Sequence, residues 1–149
     1  MAITTIAKLV EAASSRGSTI GALARELEAD DTGLSVAQLD EKMRRRLQVM
    51  RDSVAAGLEG VRSKSGLTGG DARRMTEAQS RGVLIGNEPL DSAMAYALAV
   101  SEVNAAMGRI VAAPTAGSCG ILPGVLLSVA KTLDTSDASL IEVDVFRFQ

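Results

Sequence analysis

Apolar side chains recur along most of this chain at the three- and four-residue steps of a helix. Ile3, Ile6, Leu9, Val10 and Ala13 predict a helix over residues 3–15, stopped by Gly17. Ser18 or Thr19 can cap a second helix carrying Ile20, Leu23, Ala24 and Leu27, and residues 30–33 read as a polar turn. The longest pattern follows. Ser35 with Gln38 has the form of a capping box. Leu39, Met43, Leu47, Met50, Val54 and Leu58 then share one face that reaches Val61. Gly57 is expected to weaken the end of this helix and Gly60 to terminate it. Its other face carries Lys42, Arg44, Arg45, Arg46 and Arg51.

A short helix is predicted over residues 71–80, then a loop over 81–88 or a brief extended piece at 83–85. Pro89 suits the first turn of the next helix. Leu90, Met94, Ala97, Leu98, Val103 and Met107 carry that helix to Gly108. Small residues all round it predict a buried central element with neighbours on several sides. Glu102 and Asn104, if buried there, each need a hydrogen-bond partner or a ligand. Residues 121–129 read as helical with Pro123 in the first turn, and residues 134–137 look like the cap of one more helix. Residues 142–149 alternate like a strand. They are either a C-terminal edge strand or the sign of an interrupted helix with a foreign or shifted segment appended.

Composition narrows the fold class. With aromatics at 2% and no Trp, the core must be built from Ala, Leu, Val, Ile and Met. Small side chains let helices approach closely, so the expected fold is all-α. At 46% hydrophobic and 23% charged, the chain is not of the disordered type. A net charge of -2 argues against a nucleic-acid binder, leaving the Lys42–Arg51 face as a solvated surface or partner contact. The chain has no stretch long and apolar enough for a membrane span and no signal-peptide pattern. One Cys excludes an internal disulfide, which fits a reducing, cytoplasmic setting. With no His and one Cys, the chain cannot build a Cys₄ or Cys₂His₂ zinc site, nor a Ser-His-Asp or Cys-His couple.

Two loops rich in small residues carry the candidate chemistry. Ser65-Gly-Leu-Thr-Gly-Gly-Asp71 packs three glycines into five residues, and Ala113-Pro-Thr-Ala-Gly-Ser-Cys-Gly120 is the second. Glycine-rich turns expose successive backbone N–H groups to an anion, and Ser65, Thr68, Thr115 and Ser118 add hydroxyls. Each loop leads into a predicted helix, whose N-terminus favours a carboxylate or phosphate. Neither has the Gly-Lys-Ser/Thr of a nucleotide-phosphate loop. The competing reading is two plain turns between packed helices. Cys119, with no histidine to activate it, reads as a packed or site-lining residue.

These two loops, with Glu102-Val-Asn-Ala-Ala-Met-Gly108 and the run on to Gly124, resemble the α subunit of the iron–sulfur-dependent bacterial L-serine dehydratases. The resemblance covers residues 1–142 and implies an incomplete all-α domain of that kind, with residues 143–149 an atypical tail from truncation or frame shift. It implies conversion of L-serine to pyruvate and ammonia without pyridoxal phosphate. A [4Fe–4S] cluster with one open iron would activate the serine hydroxyl as a Lewis acid. It places Ser65, Thr68 and Gly69 on one side of the substrate carboxylate and Asn104, Thr115, Gly117 and Ser118 on the other. It identifies no general base. The cluster cysteines of the family lie in the half absent from this sequence, so the resemblance assigns no metal ligand here. The chain opens directly on the α pattern, which implies a separate β subunit and a possible homo- or hetero-oligomer, with no nucleic-acid or membrane partner. Three readings remain open: an N-terminal α portion inactive alone, a small subunit completed by another polypeptide, and a helical amino-acid-binding module without catalysis.

Overall fold

A computed structural model describes residues 5–115 and 117–144 of the 149-residue chain. Every regular element among the described residues is an α-helix: α1 Ile6–Ser15, α2 Ile20–Thr32, α3 Val36–Gly60, α4 Asp71–Ser80, α5 Leu90–Ala105, α6 Ser118–Leu133 and α7 Asp137–Asp144. The all-α expectation is met. The chain divides into two compact units, one from residues 1–44 with 137–149 and the other from residues 45–136.

In the first unit, α2 packs with both α1 and α7 around Leu23, which is wholly buried. Ala13, Leu39, Leu140 and Ile141 are also buried. Thr19 caps α2 by accepting from the Ala22 N–H at 3.0 Å, and its own hydroxyl donates to the Glu142 carboxylate. Gly21 lies so close to the Glu142 carbonyl that a Cβ there would collide with it. Arg25 and Asp40 form a half-buried ion pair. The capping box is present: the Ser35 N–H donates to Gln38 Oε1 at 2.9 Å and the Gln38 N–H donates to Ser35 Oγ at 3.3 Å. Ser35→Ala should therefore cost about 1 kcal/mol of stability, measured by denaturant unfolding. No change in midpoint would show that the box contributes nothing.

Two expectations in this unit need correction. Residues 30–32 belong to α2 and are not a turn; the reversal is confined to Gly33, whose φ of 69° is left-handed. Residues 142–144 are the end of α7 and not a strand; the rest of the predicted alternation, residues 145–149, lies outside the described residues.

The second unit is built on α5, which packs against α4 and α6. Of the predicted α3 stripe, Leu47, Met50 and Val54 are buried and Leu58 half-buried in this unit, while Leu39 and Met43 are buried residues of the first. On the opposite face, Lys42, Arg44, Arg45 and Arg46 are exposed, and Arg44 pairs with Glu41 at 2.8 Å. Gly57 does not merely weaken α3: a Cβ on it would run into the backbone of Ala99, so the glycine is what lets α3 and α5 touch.

α5 and α6 approach in the same way. A Cβ on Gly120 would stand 2.7 Å from the Ala97 carbonyl, and one on Gly124 would stand 2.7 Å from the Ala93 carbonyl. The pairing of 120 with 97 and 124 with 93 makes the two helices antiparallel. α6 also begins earlier than its apolar run suggests, at Ser118, so Pro123 lies within the helix and not in its first turn. α5 stops short of Gly108. The Met107 N–H donates to the Asn104 carbonyl at 3.0 Å and the Gly108 N–H to the Val103 carbonyl at 2.8 Å. This Schellman closure puts Met107 in the left-handed region, with its side chain 82% exposed.

Candidate functional site

The first loop is tied together by Ser63. Its N–H donates to the Thr68 carbonyl at 2.9 Å, and its Oγ accepts from the Thr68 N–H at 3.2 Å. Ser63 Oγ also lies 3.2 Å from Ser65 Oγ, so Ser65 and Thr68 share this one partner. Gly69 follows with a φ of 132°, where a Cβ would strike the Val61 carbonyl; no other residue type fits there without moving the loop. Gly70, also left-handed, is the N-cap of α4.

The start of α4 is anchored by a distant side chain. Glu102 of α5, only 3% exposed, accepts at Oε1 from the Asp71 N–H at 2.6 Å and the Ala72 N–H at 3.2 Å. Those two amides are among the unpaired donors of a helix N-terminus, and a carboxylate also suits the positive end of the helix dipole. The buried Glu102 Oε2 has no hydrogen-bond partner among the described residues. Asp71 pairs in turn with Arg74 and raises the guanidinium pKa above its ordinary value, first through their hydrogen bond and then through charge attraction.

The second loop closes through a reciprocal pair. The Ser118 N–H donates to Thr115 Oγ1 at 3.2 Å, and the Thr115 N–H donates to Ser118 Oγ at 3.1 Å. The two hydroxyls are 2.9 Å apart. This is a capping-box arrangement made with two hydroxyl residues. It aims the first turn of α6 at α5, where Gly120 meets Ala97 and Ser101.

The two loops therefore meet α5 at neighbouring positions. α6 begins against Ser101 and α4 begins against Glu102, residues that point about 100° apart around the helix. Within the first loop Ser65 and Thr68 are drawn together by Ser63, and within the second Thr115 and Ser118 touch directly. Gly117 precedes α6, and Asn104 is exposed on α5, one turn beyond Ser101. The hydrogen bonds of Ser65, Thr68, Thr115 and Ser118 given above stay within their own loops. Ala116 lies outside the described residues.

The sequence had suggested two helix N-termini open to an anion. At α4 that is corrected: Glu102 already accepts from its first amides, so a ligand carboxylate there would face a protein carboxylate. Of the two groups that shape the first loop, Glu102 is buried and finds the hydrogen-bond partners that its place in the sequence required, and Ser63 is not among the predicted site residues. The signal for Glu102 was a charge inside an apolar helix; Ser63 gave none. The Thr115–Ser118 spacing was readable as a capping pair.

A cavity of about 300 Å³ lies elsewhere in the same unit, bounded by Val49, Ser53, Ala56, Val61, Val103 and Arg109, and holds none of the candidate residues. Cys119 is buried in the first turn of α6. Among the described residues no group of three His, Cys, Asp or Glu side chains could hold a metal ion. None of the helices among the described residues is long and apolar enough to cross a membrane.

Comparison with known proteins gives one answer. The family model for the serine dehydratase alpha chain matches residues 5–146. The chain is 40% identical over 119 residues to a probable L-serine dehydratase alpha chain of Bacillus subtilis, covering 80% of this chain and 39% of that one. It is 33% identical over 130 residues to the L-serine dehydratase alpha chain of Peptoniphilus asaccharolyticus, covering 87% of this chain and 44% of that one. A third relative, L-serine dehydratase 2 of Escherichia coli, is 36% identical over 110 residues, with 70% and 24% covered. The chain thus spans about two-fifths of the length of the two alpha chains. No solved structure matches it. On the strength of a match that runs through all seven helices, the chain belongs to the serine dehydratase alpha chain family.

Proposed function

We propose that this chain supplies the substrate-carboxylate loops of an L-serine ammonia-lyase, the reaction that yields pyruvate and ammonia. One observation carries the reading: two loops of glycine, serine and threonine reach α5 at adjacent residues, Ser101 and Glu102. In this reading Ser65, Thr68 and Gly69 face the carboxylate from one side, and Asn104, Thr115, Gly117 and Ser118 from the other. The α6 terminus favours the negative charge, whereas Glu102 repels it from the α4 terminus. In this reading the carboxylate sits at the α6 terminus and is reached from the first loop by Ser65, Thr68 and Gly69, while the first amides of α4 stay with Glu102.

The [4Fe–4S] cluster implied by the resemblance does not fit the donors of this chain. Such a cluster is held by several thiolates, and this chain offers one, Cys119, which is buried. Its ligands, in this reading, belong to polypeptide outside this chain. A separate β subunit and a cytoplasmic setting belong to the same proposal. The same donor shortage favours a second reading, an amino-acid-binding or assembly subunit with no catalysis of its own.

Thr68→Ala and Ser118→Ala test the carboxylate role in the assembled dehydratase. Each should raise KM for L-serine about tenfold, the worth of a hydrogen bond to a charged group. Unchanged KM in both variants rejects the assignment. Saturable L-serine binding to this chain alone, with no pyruvate formed, supports the second reading.

A further inference from the structure

α5 is apolar on its exposed side as well as its buried one. Its two charged residues, Asp91 and Glu102, are buried, while Leu90, Met94 and Leu98 are exposed. α6 is similar: its one charged residue is Lys131, and Ile121, Val125, Val129 and Leu133 form an exposed row with four-residue spacing. Leu90 is 55% exposed, Ile121 60% and Leu133 69%.

The two rows lie on the same side of the helix pair. The contact row is Ala93 and Ala97 on α5 against Gly124 and Gly120 on α6. Each exposed row is the contact row shifted by one residue, a rotation of about 100°. In antiparallel helices that rotation turns both rows toward the same side. It sets Ile121 between Leu98 and Met94, and Val125 between Met94 and Leu90. The result is one uncharged apolar face two helices wide. Soluble chains seldom leave a contiguous face of this kind open to water, and helices apolar on both sides are built for burial on both sides.

We infer that this face is the docking surface for polypeptide from the part of the serine dehydratase alpha chain that has no counterpart in the matched region, through an apolar helical segment. The inference rests on the family reading. The relatives supply the occupant: 56% or more of each alpha chain lies outside a match that reaches 39% and 44% of their lengths. The face carries no charge that would select an acidic or basic partner, which fits an interior contact.

Cysteine accessibility tests this. Leu98→Cys and Val125→Cys are made in this full chain, and cysteines are placed at the aligned positions of the full-length Peptoniphilus asaccharolyticus alpha chain. The parent proteins give the background, and a water-soluble maleimide is the probe. In this chain both cysteines should react nearly as fast as in denaturant. In the longer chain they should react about a hundredfold more slowly when native, at every protein concentration. Equal, fast labelling in both proteins overturns the inference. So does labelling of this chain that slows as its concentration rises, because the occupant is then a second copy. Neither readout involves L-serine, so failure of the dehydratase reading would show separately, as absent turnover or binding.

Discussion

Replacing Gly57 with alanine is expected to destabilise the protein, against the usual sign for such a change within a helix. Helix propensity alone would give a gain of about 1 kcal/mol. Here the new methyl group would overlap backbone atoms of Ala99, which cannot rotate away as a side chain could. Relief requires α3 and α5 to move apart, opening the packing around buried Val54, Ala99 and Val103. Overpacking costs about 1–3 kcal/mol, and an overlap with unyielding backbone takes the upper end, so after the propensity gain of about 1 kcal/mol the net loss should be about 2 kcal/mol, a fall of about 4–8 °C in Tm for a chain of this size. Gly57→Val should lose more. Thermal unfolding followed by far-UV circular dichroism reads the sign directly, and a rise in Tm for Gly57→Ala would mean that the α3–α5 contact does not exist in solution.

Glu102→Ala should do comparable damage by a different route. It strands the Asp71 and Ala72 amides, which now donate to Oε1, and leaves a void beside Ala72, which is wholly buried. Each unsatisfied buried donor costs about 1–3 kcal/mol. Removing a carboxylate whose second oxygen is unpartnered offsets part of this. The expected loss is about 2–4 kcal/mol, and Glu102→Gln, which keeps an acceptor oxygen, should lose roughly half as much. Hydrogen exchange gives a local readout: the Asp71 and Ala72 amides should lose protection in the alanine variant, while α6 keeps its own. Protection retained at both amides would show that the Glu102 cap is not formed.

These two positions also show what the sequence could and could not reveal. The long α3 was readable because one row of large apolar residues, from Leu39 to Val54, repeats against a polar background. Its capping box was readable because both partners lie within four residues. The extent of α5 was not: helical spacing continues through Met107, and only the backbone closure at Asn104 to Gly108 shows that the helix has ended. Gly57, Gly120 and Gly124 look like helix breakers in one dimension, yet each marks a place where another backbone comes close. Glu102 could be singled out as a charge among apolar residues, but its partners at Asp71 and Ala72 are about thirty residues away, beyond any local pattern. The loops were recognisable from their small residues. Which helix terminus stays open to a ligand depends on that long-range carboxylate.

The close approach of α5 and α6 explains the odd composition. Where Gly120 and Gly124 rest on the Ala97 and Ala93 carbonyls, the helices are too near even for a methyl group on either glycine, and the residues that face them are no larger than alanine and serine. Positions 93, 97, 101, 120 and 124 are therefore barred to most of the amino-acid alphabet. A mutation to Phe or Trp there would be purged however hydrophobic it is. The 2% aromatic content then records, in part, a distance between helices imposed on the sequence over generations of drift.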